Sequence, residues 1–199
     1  TADSAAQIAQ AMEEGAVRAM LPLAPQAALE RIVLCPEEGQ GIIGVTAPEA
    51  IAVAAQLRKT RSQAELVRIQ GLAMENSKAF ASAPHTGGEP PFLQCPLQGS
   101  DRVCRVFSSR PLRCRPLHAL MVAKGLDGDR AETDLGDEND SEQTIAEGIE
   151  EGFRQELTSA GLDGNVYELN GALAVLLDTP DAAERWAGGE NVFAKCHRL

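Results

Sequence analysis

The chain has 199 residues, a formal net charge of −11, 44% hydrophobic residues and only 4% aromatic residues. This length suits one compact domain whose core is large enough to fold without disulfides. With so few aromatic side chains, the core must consist of Ala, Leu, Ile and Val, which favours packed helices and predicts the all-α fold class. No apolar run is long enough to cross a membrane. The acidic balance disfavours nucleic acid as a partner, because phosphates bind basic surfaces.

The negative charge is concentrated in residues 125–151. This segment contains one base, Arg130, and eleven acids: Asp127, Asp129, Glu132, Asp134, Asp137, Glu138, Asp140, Glu142, Glu147, Glu150 and Glu151. High charge and few large apolar groups predict a solvated acidic linker at 125–143 without regular structure. The predicted organisation is a helical, cysteine-containing domain at 1–124, this linker, and a C-terminal helical hairpin at 144–199 that packs on the first part.

Helix signals are clear in the first half. Apolar residues at helical spacing predict helices over 4–20 and 26–33. Two capping-box patterns, a Ser or Thr followed three residues later by Glu, predict helix starts at Thr46 and Ser62. Glycines and prolines predict an irregular loop at 82–101. Residues 117–124 are expected to form one or two helical turns.

The C-terminal part is predicted to be helical. Four apolar residues share one helix face: Ile145, Ile149, Phe153 and Leu157. Gly161 is expected to end this helix. Asn165 with Glu168 predicts the start of another, and Thr179 begins a last short helix that ends at Gly188.

The cysteines carry the chemistry of this sequence: Cys35, Cys95, Cys104, Cys114 and Cys196. An odd number without a recognisable secretory signal argues against a disulfide framework and favours a reducing, cytoplasmic environment. Three of the five lie within residues 95–114, in a loop region that is also rich in arginine: Arg102, Arg105, Arg110, Arg113 and Arg115. Guanidinium groups lower thiol pKa values and offset the charge of a thiolate–metal site. A carboxylate- or phosphate-binding patch, or plain surface arginines, are the alternatives.

The remaining candidate ligands are weaker. His85 lies in the Gly/Pro loop and His118 follows Cys114 by four residues, and both positions are typical of surface histidines. The Cys196–His197 pair lies near the C-terminus and is interpreted as structural or as part of an interface. The sequence contains no nucleophile-elbow, phosphate-loop, dinucleotide or zinc-protease motif, so no catalytic residue is predicted.

The cysteine region resembles the YkgJ-like cysteine-cluster family, whose members are described as zinc- or iron-chelating domains. The resemblance lies in Cys95-Pro-Leu, then Cys104, then Arg110-Pro-Leu-Arg-Cys114-Arg. The family pattern is similar to C-P-F/L-L followed by C-x-I/V-Y/F-x-x-R-P-x-x-C-R. The segment at 45–50 and the segment at 166–169 also resemble the family, so the similarity spans about 31–196.

The chain departs from the family in its first half. Members carry a dense group similar to C-x-x-x-C-x-x-C-C before the segment that corresponds to 45–50, and here only Cys35 remains. The full family cluster therefore cannot form. The resemblance still implies a reduced four-thiolate site of Cys35, Cys95, Cys104 and Cys114, and four thiolates suit tetrahedral zinc or an iron–sulfur cluster.

Three functions follow as hypotheses. The first is a non-catalytic metal- or iron–sulfur-binding protein of the cysteine-cluster type. The second is an accessory or structural subunit with a protein partner, which kept the fold and lost the full metal site. The third, implied only by relatives described as lysine N-methylases, is a methyl-transfer enzyme.

Overall fold

The computed structural model describes residues 43–83, 93–100, 103–114 and 135–199. The elements in these ranges are β1 (Gly44–Thr46), α1 (Ala47–Thr60), α2 (Gln63–Ser82), a short 3₁₀ helix (Phe107–Ser109), α3 (Leu135–Ser159), β2 (Val166–Glu168), α4 (Leu169–Asp178) and α5 (Ala182–Ala187). The described part of the chain is thus mostly helical, as predicted. Within it, no helix is long and apolar enough to cross a membrane. The predicted helices at 4–20, 26–33 and 117–124 lie outside the described residues.

A two-stranded antiparallel sheet is the departure from a purely helical fold. β1 pairs with β2, with Val45 opposite Tyr167. The C-terminal residues line the other side of β2, where Glu168 N–H donates to the His197 carbonyl at 2.9 Å and Leu199 N–H donates to the Val166 carbonyl at 3.0 Å. Strands of three residues are too short to show an alternating pattern, which is why the sequence did not predict them.

Each strand leads directly into a helix. β1 ends at Thr46 and α1 follows directly. The Thr46 N–H donates to the Glu49 carboxylate at 2.8 Å, as the capping-box pattern predicted. α2 begins in the same way at Ser62, whose N–H donates to Glu65 at 3.2 Å. These contacts satisfy backbone donors that a helix start leaves without an intrahelical partner.

Glu168 caps α4 from the end of β2. Its carboxylate accepts hydrogen bonds from the backbone N–H groups of Asn170 and Gly171, each at 2.8 Å. The predicted helix start at Asn165 is therefore wrong: residues 166–168 are extended, and the helix begins at Leu169. Glutamate is an uncommon N-cap residue. The sequence therefore suggested Asn165 as the cap, with Glu168 three residues inside the helix.

The core lies where α4 packs against α2 and α1. Its largest fully buried side chains are Trp186, Tyr167 and Phe193, and the Tyr167 and Phe193 rings lie 5.1 Å apart. The expectation of a core made of Ala, Leu, Ile and Val is therefore wrong in part, because three of the few aromatic residues are buried in it. A C-terminal hairpin was predicted, in which helices of the segment 144–199 pack on each other. In the structure, α4 packs chiefly against α2 and α1 rather than against α3. The contact is close: a Cβ on Gly171 of α4 would approach the Ser77 hydroxyl of α2 to 3.1 Å.

Helix α3 corrects the predicted linker. It begins at Leu135, so residues 135–143 are helical rather than irregular, while 125–134 lie outside the described residues. Helices propagate more easily than they nucleate, so a helix anchored at Leu157, which is buried in the core, can extend toward its N-terminus through charged residues. Acidic residues are also favoured in the first turns of a helix.

Gly161 ends α3 as predicted. It has φ +75°, Leu162 N–H donates to the Leu157 carbonyl at 2.9 Å, and Gly161 N–H donates to the Thr158 carbonyl at 3.0 Å. These bonds form a Schellman motif, which requires a left-handed residue that glycine adopts without strain. The Gly188–Gly189 pair ends α5 with the same left-handed geometry at Gly189, φ +87°.

The contrast between two glycines near the end of α3 is testable. Gly161→Ala should lower the free energy of unfolding by about 1–2 kcal/mol, because alanine is strained at positive φ. Gly152→Ala, inside the helix where a Cβ meets nothing within 4 Å, should raise it by about 0.5–1 kcal/mol. Urea denaturation of both variants measures the difference. A stabilising Gly161→Ala would contradict the left-handed cap.

Candidate thiol cluster

Cys95 and Cys104 lie on two sides of one backward-folding loop. Gln98 and Cys104 form an isolated antiparallel bridge, Arg105 N–H donates to the Leu97 carbonyl at 2.7 Å, and Gly99 N–H donates to the Val103 carbonyl at 2.9 Å. The loop is pinned to α1 by Arg61, whose guanidinium donates to the Arg105 carbonyl at 3.1 Å. Two cysteines nine positions apart are thereby brought close together.

Cys95 opens a turn that is closed by a hydrogen bond from the Gln98 N–H to the Cys95 carbonyl at 3.1 Å. The N–H groups of Leu97 and Gln98 hydrogen-bond to the thiolate form of Cys95 and lower its pKa. Burial acts more strongly in the other direction and, with a further contribution from Cys104, raises the pKa of Cys95 to about 12. At neutral pH the uncomplexed side chain is a thiol, placed where amide donors would stabilise a thiolate.

Cys114 is the third member of the group. Burial raises the pKa of Cys114 well above the usual range of a thiol, and the nearby Cys95, Cys104 and Glu49 raise it further. Arg110 lowers the pKa of Cys114, and the same guanidinium lies over the Phe107 ring at 4.0 Å from its centroid. Cys95, Cys104 and Cys114, hereafter the thiol cluster, therefore lie within electrostatic range of one another.

The turn at residues 111–114, hereafter the 111–114 turn, presents Cys114. Its own backbone bond joins Cys114 N–H to the Pro111 carbonyl at 2.9 Å. Leu112 N–H donates to Glu49 Oε1 of α1 at 2.7 Å. Arg113 makes a bidentate pair with Glu150 of α3, at 2.7 and 2.8 Å. Two carboxylates from different helices thus hold consecutive residues of the turn.

The arginine contact requires a glycine beneath it. Arg113 crosses Gly44 in β1, where a Cβ would lie 3.1 Å from the Arg113 Nε and 2.8 Å from Val166 Cγ1. A larger residue at this point would push the guanidinium away from Glu150. Glu49 also contributes to the field at Arg113, so this one cation offsets charge from both α1 and α3.

Three of the four predicted ligands, Cys95, Cys104 and Cys114, lie close enough to influence one another electrostatically, and their role as ligands stays a prediction. Cys35 lies outside the described residues, as do His85 and His118. In residues 43–83, 93–100, 103–114 and 135–199, no three Cys, His, Asp or Glu side chains are already arranged to hold a metal ion. The thiols are neighbours, but their side chains do not converge on one point.

Cys196 stands apart from the thiol cluster. Burial raises the pKa of Cys196 to about 11, and the other influence on it is Glu168, at the N-terminus of α4. This cysteine is a natural internal control, because it is also partly buried but has a different environment.

Sequence reasoning missed two residues of the site. Glu49 was identified only as a helix cap, and its second oxygen reaches Leu112, 63 positions away. Glu150 was assigned to the acid-rich segment, although it is buried, at 5% exposed, against Arg113. A contact between distant segments leaves no spacing signal in one sequence. The only available hint was that Arg113 belongs to the family-like motif.

Comparison with known proteins returns no match: no protein-family model, no curated protein and no solved structure matches the chain.

The partly buried ion pair makes a prediction about stability. Glu150→Ala should lower the free energy of unfolding by about 2 kcal/mol, because Arg113, whose side chain is 35% exposed, loses both charge-assisted hydrogen bonds to its buried partner. Glu151→Ala is the matched control: it is the next residue of the same helix and pairs with Arg154 at the surface, where pairs contribute about 0–1 kcal/mol. Denaturant unfolding of both variants measures the difference. Equal effects would show that the Arg113–Glu150 pair is no more than a surface contact.

Proposed function

We propose that the protein is a non-catalytic metal- or iron–sulfur-binding protein in which Cys95, Cys104 and Cys114 are ligands and Cys35 is the fourth. The observation that carries the proposal is that three thiols, nine and ten positions apart along the chain, lie within electrostatic range of one another. The proposal includes a cytoplasmic location, because cysteine thiols stay reduced in that compartment. It includes neither a nucleic-acid partner nor a catalytic residue.

The donor set fits a soft metal. Thiolates are the ligands of structural zinc and of iron–sulfur clusters. The amide donors of Leu97 and Gln98 at the Cys95 sulfur supply outer hydrogen bonds of the kind that orient metal ligands. Arg110 offsets part of the charge that thiolates would bring to Cys114. Binding would require the thiol side chains to rotate toward a common point.

The second candidate is an accessory subunit that kept the fold without the metal. The observation that favours it is the packing of the cysteines: Cys104 belongs to the hydrophobic core, and Cys95 and Cys114 pack against it. Buried cysteines commonly act as small apolar groups. A protein partner belongs to this candidate. The methyl-transfer hypothesis has no specific observation in its favour.

Metal loading tests the first candidate. Protein purified without oxygen and reduced should bind one equivalent of zinc, or carry iron and sulfide as isolated. Cys114→Ser should weaken zinc binding by at least about 100-fold, because a hydroxyl is a poor substitute for a thiolate at zinc. Cys196→Ser is the matched control and should bind zinc as the unmodified protein does. Competition with a chromophoric chelator measures the affinities.

The opposite results decide between the two candidates. Absence of zinc and iron from the purified protein, together with no zinc uptake, would reject metal binding and leave the accessory subunit. Equal losses in Cys114→Ser and Cys196→Ser would place the metal elsewhere.

Metal uptake should also release protons. The raised pKa values of Cys95 and Cys114 mean that these side chains are protonated thiols near pH 7, and each must lose its proton to become a ligand. Zinc binding should therefore release at least two protons, one each from Cys95 and Cys114, and the affinity for zinc should rise with pH across the neutral range. Zinc titration in weak buffer with a pH indicator measures the release. Uptake without proton release would contradict thiol ligation.

A further inference from the structure

We propose that Glu49 is a positioning residue for the thiol cluster: from the start of α1, its carboxylate holds the 111–114 turn and so fixes the place of Cys114. The inference rests on the proposed function, in which Cys114 is a ligand. Glu49 itself would not touch the metal.

The geometry of the carboxylate supports two separate tasks. Oε2 accepts hydrogen bonds from the Thr46 N–H at 2.8 Å and the Thr46 hydroxyl at 2.7 Å, which caps α1. Oε1 accepts the Leu112 N–H at 2.7 Å. Each oxygen therefore serves a different segment, and a single side chain joins the first turn of α1 to the turn that presents Cys114.

The 111–114 turn needs this outside support. Leu112 is buried, at 4% exposed, and its amide is satisfied by Glu49. A buried N–H without an acceptor is costly, so loss of Glu49 would drive the turn to rearrange. Cys114 is two residues further along the chain and would move with it. The neighbouring Arg113 is held independently by Glu150, so the loss would affect the geometry of the turn more than its attachment.

The chain contains a matched comparison. Ser62 and Glu65 form the same capping arrangement at the start of α2, with the Ser62 N–H and hydroxyl donating to Glu65 Oε2 at 3.2 and 3.0 Å. Glu65 has no bond to the 111–114 turn that corresponds to the Glu49–Leu112 contact, although its charge acts on Arg61 and Arg105. Glu65→Gln therefore disturbs an exposed cap and a surface charge, whereas Glu49→Gln disturbs a cap and the link to Leu112. In either variant the amide has one oxygen and an NH₂ group in place of the second acceptor.

The experiment measures zinc affinity by chelator competition in the unmodified protein, Glu49→Gln and Glu65→Gln. Supporting residues around metal ligands typically change affinity by about 10- to 100-fold, and we expect a loss of this size in Glu49→Gln. Glu65→Gln should bind zinc within about twofold of the unmodified protein. Two measurements on the metal-free proteins accompany the titration: hydrogen exchange at the Leu112 amide and the alkylation rate of Cys114 relative to Cys196. Both should increase in Glu49→Gln and not in Glu65→Gln.

The outcomes separate this inference from the proposed function. Unchanged zinc affinity in Glu49→Gln, or equal losses in both variants, would overturn the positioning role while leaving the thiol ligands intact. If the unmodified protein binds no zinc, the proposed function fails. In that case exchange at Leu112 and alkylation of Cys114 still decide whether Glu49 holds the turn, and no change in either overturns it. If Glu49→Gln does not fold, Glu49→Asp replaces it: the carboxylate is kept but is one methylene too short to serve both segments, and the same losses are expected.

Discussion

One short turn, at residues 111–114, is held from two sides and joins the cysteine loop to α1 and α3. Glu49 reaches it from the first turn of α1, and Glu150 reaches the next residue from the middle of α3. These contacts join segments that are 63 and 37 positions apart along the chain. Arg113 pairs with Glu150 and also lies in the field of Glu49, so one cation offsets charge from both helices. Burial raises the pKa of Glu49, and the nearby Glu150 raises it further.

Local patterns in the sequence predicted local structure well, because both partners of the interaction lie within one helical turn. The capping residues Thr46 and Ser62 and the stop at Gly161 are of this kind. The sheet was missed because three-residue strands carry no period, and their pairing depends on a partner more than 100 residues away. The start of α3 was misjudged because charge density predicts solvation, and solvation is compatible with a helix that is anchored at its other end.

The residues of the candidate site also fall into two groups: those that the sequence predicted and those that only the structure revealed. The family-like motif identified Cys95, Cys104 and Cys114, which the fold brings near one another. It gave no reason to expect Glu49 or Glu150 beside them. A sequence motif contains the candidate ligands themselves. The residues that hold the loop in place lie on other helices that pack against it. Glu49 even fulfils a complete local role as a cap, which hides its long-range contact with Leu112.

The environment of the thiols bears on both candidate functions. Burial keeps Cys95 and Cys114 protonated, which stabilises a metal-free fold and opposes thiolate formation. A metal must offset that cost, and a soft cation bound by several thiolates does so through strong bonds. Carboxylates and backbone hydrogen bonds hold parts of the loop in place, which would meet part of the ordering cost of binding. A preorganised loop loses less conformational entropy on binding than a disordered one. The same preorganisation would let the fold survive the loss of its metal, so a relic subunit and a working metal site can share this architecture. The two candidate functions differ in one requirement: a metal site needs the side chains of the three cysteines to rotate until their sulfur atoms face one point.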